Sequence, residues 1–193
     1  MKILGDLGIE AITMRQLSNS LGVSKTAPYR HFENKSALLA AVAAEGFRRM
    51  SISLEERPNA DLPESDLAII MERYITFATM NPRLYKLMFG KEVFRLPVSA
   101  ELSETASEAY SGVKAILSTM ESEEEPTVNI NTAWALVHGL SLLINDNLLA
   151  VDENGNTEHA LLAGGDSPTP QQIARQISSA IAAIVSGFSV NFP

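Results

Sequence analysis

The sequence predicts an all-α chain, and three observations carry that prediction. Apolar residues recur at helical spacing almost throughout. No segment alternates apolar and polar residues convincingly at period two, and Thr, Ser, Asn, Gly and Pro fall where helices would begin and end.

The elements follow in order. Thr13 precedes Met14, Leu17 and Leu21, with Gln16 three residues on, the spacing of a capping box, so a short helix is expected from about 14 to 21. Gly22 would end it in the left-handed conformation, and Ser24 would cap a second helix from about 25 to 31. Pro28 lies in the first turn of that helix, where a missing N–H costs little. On it Lys25, Thr26 and Tyr29 share a polar face, while Ala27 and Phe32 are suited to pack on Leu17 and Leu21. Asn34 caps a third helix running from Lys35 to about Arg57. Breakers divide the remainder into helices of about 63–80, 83–90, 99–121 and 127–149, a polar loop from 152 to 170, and a last helix of 170–188.

Two short helices across a glycine turn form a helix-turn-helix, whose second helix can enter a DNA major groove. The net charge of −8 opposes nucleic-acid binding when averaged over the chain. It is unevenly distributed: residues 1–50 hold seven cations against four acids, and residues 51–193 hold eight against nineteen. The expected organisation is therefore a helix-turn-helix domain over 1–46 joined to a different, helical domain over 47–193.

Several classes are excluded. The chain lacks cysteine, which removes disulfide frameworks, thiol nucleophiles and sulfur-ligated zinc and fits a reducing cytoplasmic compartment. No apolar run reaches the roughly 18 residues of a membrane span. The three histidines, His31, His138 and His159, contain no pair at i+4, so no metal site is expected. No phosphate loop, dinucleotide fingerprint or serine elbow implies a cofactor or a catalytic residue.

Ala11-Ile12-Thr13, Leu17, Gly22-Val23-Ser24, Tyr29-Arg30-His31-Phe32, Lys35 and Leu38-Leu39 together resemble the DNA-binding domain of the tetracycline-repressor (TetR) family of bacterial regulators. That resemblance implies that Thr13, Ser24, Lys25, Thr26, Tyr29, His31 and Lys35 approach operator DNA. The chain departs from the family pattern at Met1–Gly5, which stand in for a longer first helix, and at Ser18, where the family favours Ala.

Tyr74–Gly90 and Thr132–Ile144 resemble one subgroup of TetR-type ligand domains, marked by the Trp-x-x-x-His-Gly pattern at Trp134, His138 and Gly139. The resemblance implies a pocket among the middle helices for a small hydrophobic effector. Tyr74, Phe77, Tyr85, Met88, Phe89, Tyr110, Trp134 and His138 are expected to line it, although each such residue is individually commoner in a core. It also implies a homodimer through the last two long helices, with Val137, Ile144, Ile177, Ile181, Ile184 and Phe188 at the interface. The continuous apolar stripe from Ile173 to Phe188 supports that independently, because it is wide for one small bundle.

The function expected is a DNA-binding regulator, a repressor released by its effector. Two rivals stand beside it. One is a helical enzyme using His138 with a carboxylate as general base. The other is a sensor whose DNA motif is vestigial.

Overall fold

The structure is a computed structural model that describes residues 9, 12–55, 63–91, 93, 99–118, 130–151 and 157–159. Its elements are α1 (Met14–Leu21), a 3-10 turn (Pro28–Arg30), α2 (Lys35–Glu55), α3 (Pro63–Met80), α4 (Pro82–Phe89), α5 (Ala100–Ser118), α6 (Ile130–Asn145), β1 (Leu149–Val151) and β2 (Thr157–His159). The class is all-α; one small hairpin is added to it. The helix expected over 170–188 lies outside the described residues.

Local chemistry sets most of the helix ends. The Gln16 amide donates to Thr13 Oγ1 at 3.1 Å, which starts α1. At its other end Gly22 takes φ +64°, while the Gly22 amide reaches Asn19 O and the Val23 amide reaches Ser18 O, the paired bonds of a Schellman stop. Buried Ser18 satisfies its own hydroxyl by donating to Met14 O at 2.9 Å, so the hydroxyl in place of an alanine methyl leaves no orphan. Asn34 Oδ1 accepts from the Ala37 amide at 3.0 Å and begins α2; Ser99 Oγ accepts from Leu102 and begins α5.

Three expectations are corrected. The segment 25–31 is not a regular helix with a Ser24 side-chain cap. Its backbone closes instead in overlapping short turns, Ala27 N to Ser24 O, Tyr29 N to Thr26 O, Arg30 N to Ala27 O and His31 N to Pro28 O. The cause is Pro28. In an α-helix its N–H would bond Ser24 O, and proline has none, so the Ala27 amide takes that carbonyl and the tighter period follows. Leu21 is 63% exposed rather than packed beneath Ala27 and Phe32. Helix α6 stops at Asn145, short of 149, because Asn147 adopts φ 55° and the Asn147 and Leu148 amides return to Ile144 O and Leu143 O. Asparagine tolerates that conformation better than most residues. The released chain forms an antiparallel pair with Leu149 opposite His159 and Val151 opposite Thr157.

The chain divides into two compact units, residues 1–51 with 81–110, and residues 52–80 with 111–193. In the first, Leu38, Leu39, Ala43, Ala44 and Phe47 of α2 are buried, as are Leu84, Tyr85, Leu87 and Met88 of α4. Helix α2 runs unbroken through residues 46 and 47. Phe47 meets Phe89 edge-on at 5.3 Å, and Tyr85 meets Phe89 at 4.8 Å. Arg48 bonds Glu45 on its own helix and reaches Glu101 of α5 at 3.0 Å, while Arg49 bonds Glu45 at 2.7 Å. These pairs are exposed and stabilise little.

Gly46 is where α2 and α4 cross: a β-carbon there would lie 2.6 Å from Met88 Sδ and 3.0 Å from Leu84 Cδ1. Gly46→Ala gains about 1 kcal/mol of helix propensity. It must also displace a Met88 side chain that is almost fully buried, at about 1–3 kcal/mol. The net expectation is a modest loss of stability, read as a lower denaturant midpoint at unchanged slope. A gain in midpoint would show that Met88 has room to move.

The second unit is organised by α3 against α6. Met71, Tyr74, Ile75, Phe77 and Ala78 of α3 and Val137 and Ser141 of α6 are buried. Ser141 donates to Val137 O at 2.8 Å, and Asn145 Nδ2 donates to Ala78 O at 3.3 Å, tying the two helices near their C-terminal ends.

Candidate nucleic-acid interface and buried polar cluster

The short turns from Ser24 to Phe32 present a compact polar surface. Ser24, Lys25, Thr26, Tyr29, Arg30 and His31 are all exposed around a buried Pro28, and Tyr29 retains 58% of its accessible surface. Ser24 Oγ and Thr26 Oγ1 lie 3.2 Å apart, which orients both hydroxyls. Residues three apart align on a 3-10 coil, so Thr26 and Tyr29 stand on one edge and Ala27 and Arg30 on another. Lys35, half-exposed, opens α2 immediately beyond. Thr13 is exposed at the start of α1, where its hydroxyl is engaged by Gln16.

Such a surface supplies a point cation at Lys25, hydroxyls at Ser24 and Thr26, and an aromatic hydroxyl at Tyr29. These are groups suited to phosphate oxygens and to base edges respectively. Arg30 is not among the residues that the resemblance implies approach DNA. It is exposed, as Lys25 and Tyr29 are, on a different edge of the coil from Tyr29. Its position inside the uninterrupted Tyr-Arg-His run was the available signal.

Of the eight expected effector residues, Tyr74, Trp134 and His138 come together within the second unit. Trp134 Nε1 donates to Tyr74 Oη at 3.4 Å, Tyr74 Oη lies 3.5 Å from His138 Nδ1, and the Trp134 and His138 rings are 5.7 Å apart. Indole is only a donor, so Tyr74 accepts from Trp134 and its own O–H is available to the imidazole. Phe77 is buried on α3 nearby in sequence. Tyr85, Met88 and Phe89 belong to the first unit, where Phe89 packs on Phe47 of α2 and Tyr85 packs on Phe89, and Tyr110 is 46% exposed. Among the described residues no group of acids and histidines could hold a metal ion, and no helix is long and apolar enough to cross a membrane.

Burial holds the His138 imidazole below its ordinary pKa of about 6.5. The unfolded chain therefore takes up a proton near pH 6.5 that the folded chain accepts only at lower pH. Stability is unaffected above about 6.5 and falls as pH drops below it. Glu45 acts in a lower window: Arg49 and then Arg48 hold its carboxylate below the usual range against some burial, so its contribution disappears only as pH falls through and below about 4. Melting temperatures between pH 7.5 and 5.5 are expected to decline less in His138→Gln than in the parent chain. Equal declines would assign the effect elsewhere.

Residues 1–42 match the family model described as bacterial regulatory proteins, tetR family, and residues 67–161 match a tetracyclin repressor-like C-terminal domain. The chain belongs to the TetR family. A tetracycline repressor of class C from Escherichia coli is 49% identical over 43 residues, 22% of this chain and 20% of that protein. The chain thus spans about a fifth of the length of that curated relative. A protein of unknown function from Rhodococcus sp. RHA1 superposes with a TM-score of 0.71 at 21% identity, covering 96% of this chain and 89% of that one. AibR in complex with isovaleryl coenzyme A and operator DNA superposes with a TM-score of 0.60 at 16% identity, covering 93% and 91%. These likenesses establish a shared all-α fold.

Within this TetR-family chain the expected interface residues divide. Val137 is buried within its own unit, at 6% exposure, and Ile144 is half-buried. Ile177, Ile181, Ile184 and Phe188 lie outside the described residues. The exposed large side chains of α6 are others: Trp134, Leu142 and Leu143.

Proposed function

We propose that this protein is a cytoplasmic transcriptional repressor that binds duplex operator DNA as a homodimer and is released by a small hydrophobic effector. The observation that carries the DNA half is the exposed surface from Ser24 to His31, held by a Schellman stop behind and an Asn34 cap ahead. The matched family model over residues 1–42 supports the same reading. In it, residues 1–46 read DNA and residues 47–193 bind the effector and pair the subunits. Two such surfaces in a dimer would lie roughly 34–36 Å apart on a near-palindromic site.

The effector half rests on Tyr74, Trp134 and His138, three ring side chains with a polar chain running through them. AibR, a protein of the same fold, is seen with both an acyl coenzyme A and operator DNA, which supports two coupled ligands here. Effector and operator would then weaken each other by the same factor, typically 1–3 kcal/mol of coupling.

Gel-shift titrations of duplexes from upstream of the coding region test the reading. The expected result is specific retention that falls with salt and is relieved by apolar effectors, with Trp134 fluorescence changing over the same concentration range. Lys35→Ala should weaken every sequence alike and reduce the slope of log affinity against log salt by about one unit. Retention of no duplex above non-specific levels would overturn the reading.

A further inference from the structure

We propose that the effector is a neutral, flat molecule carrying a hydrogen-bond acceptor, such as a ketone, ester or amide carbonyl, held by the Nε2–H of His138 with its apolar body against the Trp134 indole. This rests on the effector reading above and adds to it the chemical class and the atom that selects it.

Selection begins at Tyr74. Its side chain is 4% exposed, and its Oη accepts from Trp134 Nε1 at 3.4 Å and lies 3.5 Å from His138 Nδ1. With its oxygen accepting the indole proton, the phenol directs its own O–H at the imidazole, so Nδ1 is the acceptor of that pair. A neutral imidazole has one ring proton, which then sits on Nε2 and makes that nitrogen a donor. The Nδ1 edge faces a buried phenol while the ring as a whole is only half-buried, so the Nε2 edge is the one turned towards the surface.

The surroundings of that edge on α6 are apolar. At about 100° per residue, Trp134, Ala135 and Leu142 border His138 one turn away on either side. All three are exposed, Trp134 at 39% and Leu142 at 40%. The bond to Tyr74 fixes the Trp134 ring, which stands 5.7 Å from the imidazole at a tilt of 40°. One polar atom in an apolar surround orients a ligand that is itself mostly apolar. An anion matches poorly, because burial opposes the proton that would charge His138 and α6 contains no cation. A hydrocarbon of the same shape gains the apolar contact without the hydrogen bond.

Three probes of similar shape test this on the full chain: acetophenone, which carries the carbonyl, ethylbenzene, which lacks it, and benzoate, an anion. Their binding is followed at neutral pH through the Trp134 and His138 side-chain signals in magnetic-resonance titrations. Acetophenone is expected to bind roughly three- to tenfold tighter than ethylbenzene, the range of one net hydrogen bond, and tighter than benzoate. In His138→Phe the two neutral probes should bind alike. Before any ligand is added, nitrogen spectra of the imidazole should show the proton on Nε2. Tyr74→Phe should let the other tautomer appear, a change that a tyrosine serving only to fill space does not produce. A proton on Nδ1 in the parent, equal binding of acetophenone and ethylbenzene, tightest binding by benzoate, or no binding by any probe would each overturn the inference and leave the repressor reading standing. So would a preference for acetophenone that survives in His138→Phe, or a tautomer unchanged in Tyr74→Phe. Binding in the expected order with operator retention unaltered at saturation would keep the ligand class and remove the effector role on which it rests.

Discussion

Thr26→Ala combined with Tyr29→Ala is expected to remove about 2–6 kcal/mol of discrimination between operator and unrelated DNA, each base-reading contact supplying about 1–3. Both side chains stand on the same edge of the 3-10 coil, and neither supports the core. Tyr29 is 58% exposed, and Thr26 has only the exposed neighbouring hydroxyl of Ser24 beside it. Folding stability should therefore stay within about 0.5 kcal/mol of the parent. Titrations against matched and scrambled duplexes at one fixed salt concentration separate the effects. The double variant should bind both alike, near the parent's affinity for the scrambled duplex, whereas Lys35→Ala should lower both and keep their ratio. A double variant that still prefers the matched duplex by the parent's ratio would move base reading to Arg30 or elsewhere on the segment.

Leu87→Ala is expected to cost about 2–5 kcal/mol of stability, the range for removing a buried leucine side chain when the cavity collapses only partly. Leu87 has no exposed surface, and α4 on which it sits is only eight residues long with four of them buried. A helix that short has little stability alone and is held by its packing. The close crossing at Gly46 leaves little slack for neighbours to fill the space. Leu142→Ala on α6 provides the contrast, since a side chain 40% exposed should cost well under half as much in the protomer. Denaturant titrations with a common slope would measure both. A loss below about 1 kcal/mol for Leu87→Ala would show that α4 repacks freely, contrary to the packing seen.

The sequence by itself determined the features whose causes lie within a few residues. Thr13 with Gln16, Gly22, and Asn34 with Ala37 are caps complete in a single turn of chain, so α1 and the start of α2 were readable to the residue. The family resemblance was legible for the same reason, because it rests on closely spaced residues over 11–39. Local reading failed where a local cause was overlooked: Pro28 withholds the one amide that an α-helix would have offered to Ser24 O, and Asn147 ends α6 with the left-handed turn that Gly22 gives α1.

Only the tertiary structure decided which apolar side chains face which neighbours. Tyr85, Met88 and Phe89 have the same composition as Tyr74 and Trp134, yet they fill the first unit while Tyr74, Trp134 and His138 join through hydrogen bonds in the second. On α6 the sequence suggested Val137 for a partner, and its side chain is buried in the single chain. That helix has no charged residue on any side, so nothing in its sequence marks a face as inner or outer. Its orientation is set by where Tyr74 and the Ala78 carbonyl stand, more than fifty residues away in the chain, which is information that spacing along one helix does not contain.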